Sequence, residues 1–225
     1  LNARLGSTLL ETGEPGAAER GELLLREVIA DEDGARNEAM PASRMFLAGR
    51  LGMTGRISEA REQLRLLRQQ FGIAHFVIFD AFILGSEAWL EAVDGCSEES
   101  LRLTRRALEK SKDPLALTIA PHMRTLYLHT AGLALAGADG GARALDGARC
   151  LAAGDALLPA AHAPTSIERT LRSKAERNLR AGLGDVAYET AYTEGGGLSP
   201  GDAAALAGRA AAPRSGPSPR SSTSA

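Results

Sequence analysis

The chain has 225 residues, of which 44% are hydrophobic but only 4% aromatic, and its net charge is −2. Much of the apolar content is Ala and Leu, which favour helices, whereas clusters of β-branched residues are scarce. Subtracting the three arginines of residues 209–225 leaves a net charge of −5 on residues 1–208, which argues against a nucleic-acid-binding surface. No apolar run approaches the ~20 residues that a membrane span needs. We therefore expect an all-α protein outside the membrane.

The two cysteines, Cys96 and Cys150, match neither a CxxC motif nor a Cys/His ligand spacing. Isolated cysteines in a chain of this size predict reduced, half-buried thiols and a cytoplasmic protein. No signal-peptide pattern is present, and Leu1 already lies within a helical pattern. We expect the chain to be a segment of a longer protein.

A repeat with a period of about 41 residues runs through the first two thirds of the chain. Its anchors are four glycines, each expected at the turn of a helix pair, where a left-handed backbone is needed: Gly13, Gly55, Gly95 and Gly137. Small residues lie seven positions before the anchors, at Gly6, Ala48, Ala88 and Thr130. Others lie five positions after them, at Ala18, Ala60, Ser100 and Ala142. Small facing residues let paired helices approach to ~8–10 Å.

The helical pattern predicts four antiparallel pairs, at 1–12 and 15–30, 37–53 and 57–71, 74–93 and 97–111, and 115–136 and 140–153. Ser97 is a predicted N-cap, and Pro121 is expected to kink or delay its helix. Three more helices are predicted at 166–183, 185–194 and 199–209. The resulting domains are residues 1–164 with the four pairs, 165–209 with capping helices, and 210–225 as a disordered, Pro/Ser-rich tail.

The order of small residue, turn glycine and following alanine resembles the tetratricopeptide repeat, although that repeat usually has a period of about 34. Longer repeats of this sort resemble the C-terminal regions of bacterial ATP-binding transcriptional regulators. These are the LuxR-type large ATP-binding regulators and the regulators with a bacterial transcriptional activator domain. The C-terminal part of the chain also resembles the segment that closes the repeat array in these regulators. The residues that carry this resemblance are Leu183-Gly184, Tyr188, Gly197, Leu198-Ser199, Asp202-Ala203 and Leu206-Ala207.

The resemblance implies a right-handed solenoid of helix pairs and a role in binding an effector or a protein partner. It also implies neighbouring domains in a parent regulator, but the chain itself has no Walker motif. We therefore expect no catalytic residue, no cofactor-binding residue, no metal ligand and no direct contact with nucleic acid, and we assign no binding residues. The alternatives are a free-standing scaffold for protein–protein interaction and, as a third, an all-helical enzyme. A deep pocket with converging histidines and acids would favour the enzyme.

Four stretches carry alternative interpretations. The glycine-rich "TEGGGLSPGD" (193–202) is predicted to connect two helices rather than to bind phosphate, because neither a strand nor a nearby Lys accompanies it. Ser199 is expected to cap the last helix. His122 and His129, seven residues apart on one helical face, are interpreted as partly exposed or hydrogen-bonded and not as a metal pair, which would prefer a spacing of four. His75 and His162 are interpreted as isolated. "FVIFDAFILGSEAWL" (76–90) is predicted to be core, with a ligand groove as the alternative, and the basic residues 102–110 are predicted to form a solvated face.

Overall fold

The computed structural model describes residues 2–30, 39–71 and 77–208. All regular structure in these ranges is helical, so the all-α prediction is confirmed. None of the described helices is both long and apolar enough to cross a bilayer. The predicted tail and His75 lie outside the described residues.

Twelve α-helices follow one another in the described chain. They are α1 (Asn2–Leu9), α2 (Ala17–Ala30), α3 (Ala39–Met53), α4 (Ile57–Phe71), α5 (Val77–Asp94), α6 (Ser97–Lys110), α7 (Pro114–Ile119), α8 (Met123–Gly137), α9 (Ala144–Leu157), α10 (Ser166–Leu183), α11 (Asp185–Gly195) and α12 (Pro200–Gly208).

Helices joined by a turn pack as pairs, α1 on α2, α3 on α4, α5 on α6 and α8 on α9. Consecutive pairs then touch through α2 and α3, α4 and α5, and α6 and α8. One apolar core runs through all of them and includes Leu25, Leu51, Leu67, Leu90, Leu135 and Leu151. These leucines form one continuous buried set along the repeat pairs.

Three of the four anchor glycines have the left-handed backbone expected of a turn. Gly13, Gly55 and Gly95 have φ of 69°, 78° and 86°. The expectation is wrong for Gly137, whose φ is −99°. The left-handed residues of the fourth turn come later, in a 3-10 turn over Ala138–Gly141. This turn is longer than those of the second and third pairs, so the chain reverses after the anchor.

The longer turn also shifts the position at which the two helices of the fourth pair, α8 and α9, approach each other most closely. Ala142, predicted to face its partner helix, is exposed. Gly132 and Gly147 make the close approach instead, because a Cβ on Gly132 would lie 3.2 Å from the carbonyl oxygen of Gly147. In the third pair the predicted residues do meet, and the Ser100 Oγ donates a buried hydrogen bond of 2.8 Å to the Ala88 carbonyl.

Several predicted helix limits differ from the structure. Predicted helix 140–153 is Ala144–Leu157, and predicted helix 115–136 is divided into α7 and α8 at Pro121, the residue expected to kink or delay it. A proline disfavours helical backbone in the residue before it, and Ala120 has φ −140° and ψ 60°. Ser97 is the first residue of α6 rather than its cap; the N-cap position is Cys96, which makes no side-chain capping bond.

The last three helices return to the repeat pairs. α10 packs on α8 and α9, α11 packs on α9 and α10, and α12 packs on α9, α6 and α8. The main contacts of α12 are therefore with helices of the third and fourth pairs. Its Leu206 is buried there, and Tyr188 of α11 is buried as well.

The glycine-rich stretch connects α11 to α12, which confirms the connector prediction. Ser199 caps α12, because its Oγ accepts a 3.1 Å hydrogen bond from the Asp202 N–H. Gly195 is the glycine that packing requires here, since a Cβ would lie 2.4 Å from the Arg149 carbonyl oxygen.

The cysteines differ from one another. Cys150 is buried, and burial raises the pKa of its thiol to about 12. Cys96 is exposed, so partial burial was a wrong expectation for both. Both are free thiols, as predicted.

Candidate ligand-binding cleft

A cleft of about 170 Å³ lies between α3, α5, the start of α8 and the start of α10. We call it the central cleft. Its walls are mostly apolar and include Met45, Phe46, Phe82, Trp89, Met123 and Ile167. It therefore offers an apolar ligand a surface shielded from water on several sides.

Small residues in the middle of two helices open this space. Ala48 and Gly49 on α3 and Gly85 and Ser86 on α5 all line the central cleft. A glycine inside a helix lowers stability by about 1 kcal/mol relative to alanine, so we look for a packing contact that requires it. At Gly49 the reason is Ile167, whose Cδ1 would lie 2.4 Å from an added Cβ.

The start of α10 forms one side of the central cleft. Its first turn is closed by a capping box, in which the Thr165 side chain accepts from the Glu168 N–H and the Glu168 side chain accepts from the Thr165 N–H. The next residue ties this turn to the connection between α1 and α2. Ser166 donates from its N–H to the Glu11 carboxylate at 2.6 Å and from its Oγ at 3.0 Å. Residues 155 positions apart are therefore held together beside the cleft.

Two histidines and one glutamate meet at the edge of the cleft. The rings of His122 and His162 are stacked, with centroids 4.3 Å apart. The His162 Nε2 lies 3.1 Å and 3.2 Å from the two carboxylate oxygens of Glu168. Burial lowers the pKa of His122, and the neighbouring His162 lowers it further. The interpretation of His162 as isolated is therefore wrong.

His129 belongs to a different polar cluster. It is buried, and its Nε2 lies 2.9 Å from the Asp155 Oδ1 without the alignment of a hydrogen bond. Arg172 of α10 and Tyr192 of α11 also donate hydrogen bonds to Asp155. Burial opposes ionisation of Asp155, but these partners outweigh it and hold its pKa well below the usual range. The cluster joins four helices and lies away from the cleft lining, so we assign it a structural role.

Residues 79–90 divide between the core and the central cleft. Ile83, Leu84 and Leu90 are buried in the core. Phe82 and Trp89 line the central cleft, in agreement with the groove alternative. The basic stretch 102–110 forms a solvated face as predicted, with Leu103, Ala107 and Leu108 buried beneath it.

A second, wider groove of about 750 Å³ lies between the start of α6, the turn after α8 and the end of α12. Charged side chains dominate its lining, among them Glu98, Glu99, Arg102, Arg105 and Arg143. Arg102 is already paired with Glu99, and Arg143 donates to the Leu206 carbonyl. This groove lacks the apolar walls that would enclose a ligand.

Comparison of the chain with protein-family models, with curated proteins and with solved structures gives no match. The resemblance to bacterial regulators therefore rests on the sequence pattern alone. The groove alternative included Phe82 and Trp89, but residue patterns did not identify the cleft-lining residues of α3, α8 and α10. Two local signals were available for α3, α5 and α10. One is helix-interior glycine at Gly49 and Gly85; the other is the capping-box spacing of Thr165 and Glu168.

Proposed function

We propose that this chain is a right-handed, tetratricopeptide-like repeat region that binds a small apolar effector in its central cleft. It would serve a cytoplasmic bacterial transcriptional regulator and would be non-catalytic by itself. The observation that carries the proposal is the apolar, partly enclosed cleft on α3 and α5. The regulator context is supported only by the sequence resemblance.

The size of the cleft indicates the class of ligand. An engineered apolar cavity of about 150 Å³ binds benzene, so a cleft of similar volume suits a ligand with about one ring. The central cleft has about 170 Å³ and is walled by Phe46, Phe82 and Trp89. Burying a one-ring ligand against these side chains removes apolar surface from water on both partners, which is the main driving force for binding.

The alternative ligand is a peptide of a partner protein. The alternative to the regulator context is a free-standing scaffold for protein–protein interaction. An extended peptide needs a long open groove, but the start of α10 lies beside α3 and is tied to Glu11. A peptide could occupy this face only after α10 releases Ser166 from Glu11 and withdraws Ile167 from Gly49. We therefore favour the small effector.

The C-terminal helices have a supporting role in this proposal. α10, α11 and α12 all contact the fourth pair, and residues 165–209 would act as caps that cover its apolar faces. Repeat arrays need such caps to stay soluble. Neighbouring domains of the parent regulator would then sense the rigidity or position of α10 when the cleft is filled.

An enzyme is a second candidate, because a histidine pair and a glutamate converge at the edge of the cleft. If the purified chain turns over a substrate and this activity is lost when His162 is replaced, the result would favour an enzyme over the effector proposal.

The single tryptophan provides a direct assay, because Trp89 lines the central cleft. We expect one-ring aromatic probes such as benzene or toluene to change the Trp89 emission saturably and to release heat in calorimetry. Ser86→Phe should fill the cleft and abolish the calorimetric signal. Val186→Phe adds the same ring at a position that is 84% exposed, and it should bind like the parent.

Absence of saturable binding by every probe would contradict the effector proposal, as would equal binding by the Ser86→Phe variant. The regulator context has a separate test: the parent gene should encode an upstream GxxxxGK[ST] segment in frame with this chain.

A further inference from the structure

The cluster at the edge of the central cleft has the composition of a metal site. His122, His162 and Glu168 each offer one ligand atom, and all three atoms lie within 4.8 Å of one another. His122 lies at the start of α8, and Glu168 lies in the first turn of α10. Two helix starts and the loop between α9 and α10 therefore contribute one ligand each.

The spacing of the ligand atoms is close to what zinc requires. Nitrogen and carboxylate ligands lie about 2.0–2.2 Å from zinc, which places two tetrahedral ligands about 3.3 Å apart. The His162 Nε2 and the Glu168 Oε1 are already 3.1 Å apart. Small rotations of the stacked imidazoles would bring the third atom to the same distance.

The surroundings favour metal binding in two further ways. Thr165 donates from its N–H and its Oγ1 to the Glu168 Oε2, at 2.7 Å and 2.9 Å, which fixes the carboxylate as outer partners do in metal sites. All three ligands are also half-buried, which shields the site in part from bulk water.

A second cluster of possible ligands, Glu91, Asp94 and Cys96, offers a weaker site. Arg61 already donates to both carboxylates at 2.7 Å. A cation would have to displace this guanidinium, so the cluster serves here as a control.

We propose that His122, His162 and Glu168 bind a first-row divalent ion of the Zn²⁺ type, with an open coordination position toward the central cleft. His122 and Glu168 both line that cleft, so a fourth ligand would approach from it. Sites with three protein ligands and one exchangeable position are those that bind water or a small molecule at the metal. The proposal stands whether or not an apolar effector binds, and its test uses only metal ions.

The test is a titration of the full chain, free of any histidine tag, with Co²⁺ and with Zn²⁺. We expect one equivalent of Co²⁺ to give visible d–d absorption and one equivalent of Zn²⁺ to displace it, with matching calorimetric stoichiometry. His122→Gln, His162→Gln and Glu168→Gln should each weaken Zn²⁺ binding more than about tenfold. Cys96→Ser should leave the affinity unchanged.

Glu168→Gln separates metal binding from folding, because glutamine also serves in a capping box. Without metal this variant should melt close to the parent, and Zn²⁺ should raise the melting temperature of the parent only. The proposal is overturned if the parent binds no stoichiometric metal, if the three variants bind like the parent, or if Cys96→Ser removes the binding.

Discussion

Gly85→Ala tests the packing behind the central cleft most directly. The edge of the Tyr127 ring lies against Gly85, so an added Cβ would lie 2.0 Å from its Cε1 and 2.8 Å from its Cδ1. The ring cannot move aside easily, because Tyr127 is only 1% exposed. Its hydroxyl also donates a buried 2.8 Å hydrogen bond to the Ala81 carbonyl, one helical turn before Gly85.

The expected cost combines three effects. Overpacking a core costs about 1–3 kcal/mol, and losing the tyrosine hydrogen bond in a buried place costs about 1–3 kcal/mol more. The better helix propensity of alanine returns about 1 kcal/mol. We therefore expect Gly85→Ala to lower the free energy of unfolding by roughly 1–5 kcal/mol, or the melting temperature by at least about 2 °C.

The matched control is Gly182→Ala in α10. It has the same change and the same gain in helix propensity, but no atom lies within 4 Å of the added Cβ. It should stabilise the protein by up to about 1 kcal/mol. Thermal and urea melts of both variants measure the difference. If Gly85→Ala melts at or above the parent, Tyr127 does not lie against Gly85 and the packing behind the cleft is wrong.

Three further predictions follow from the closing helices, the Asp155 cluster and the absence of a Walker motif. Leu198→Asp should cost about 1–3 kcal/mol, because Leu198 packs against the buried apolar core. Gly196→Ala should be nearly neutral, since the nearest atom to its Cβ would be 3.7 Å away, and equal melts of the two variants would contradict the packing. The pKa of Asp155 is lowered in the folded protein, so its stabilising contribution is complete above the usual carboxyl pKa and is lost as the pH falls below about 4. Asp155→Asn should therefore show a flatter fall of melting temperature between about pH 5 and pH 2 than the parent, and parallel curves would refute this. Calorimetric titration of the chain with Mg-ATP should give only heat of dilution, and micromolar binding would contradict the connector interpretation of residues 193–202.

Local residue patterns were enough to predict the helical class and most of the helix limits. The predicted helices 57–71 and 166–183 agree with the residue ranges of α4 and α10. The reason is that apolar spacing and turn glycines act within a few residues of one another. Where a turn is short, as at Gly55 and Gly95, the same local rule also predicts which residue adopts the left-handed backbone.

The fourth turn and the central cleft depended on contacts between distant parts of the chain. Gly137 satisfies the same spacing as the other anchors, but packing between Gly132 and Gly147 places the reversal at residues 138–141 instead. The pairing of His122 with His162 arises because the chain after α9 returns to the start of α8 before α10 begins. No short-range pattern encodes that return, since it depends on long-range contacts such as those of Ser166 with Glu11 and of Ile167 with Gly49. The sequence therefore determined the helices, and only the tertiary structure decided which of their small and polar residues meet at a cleft.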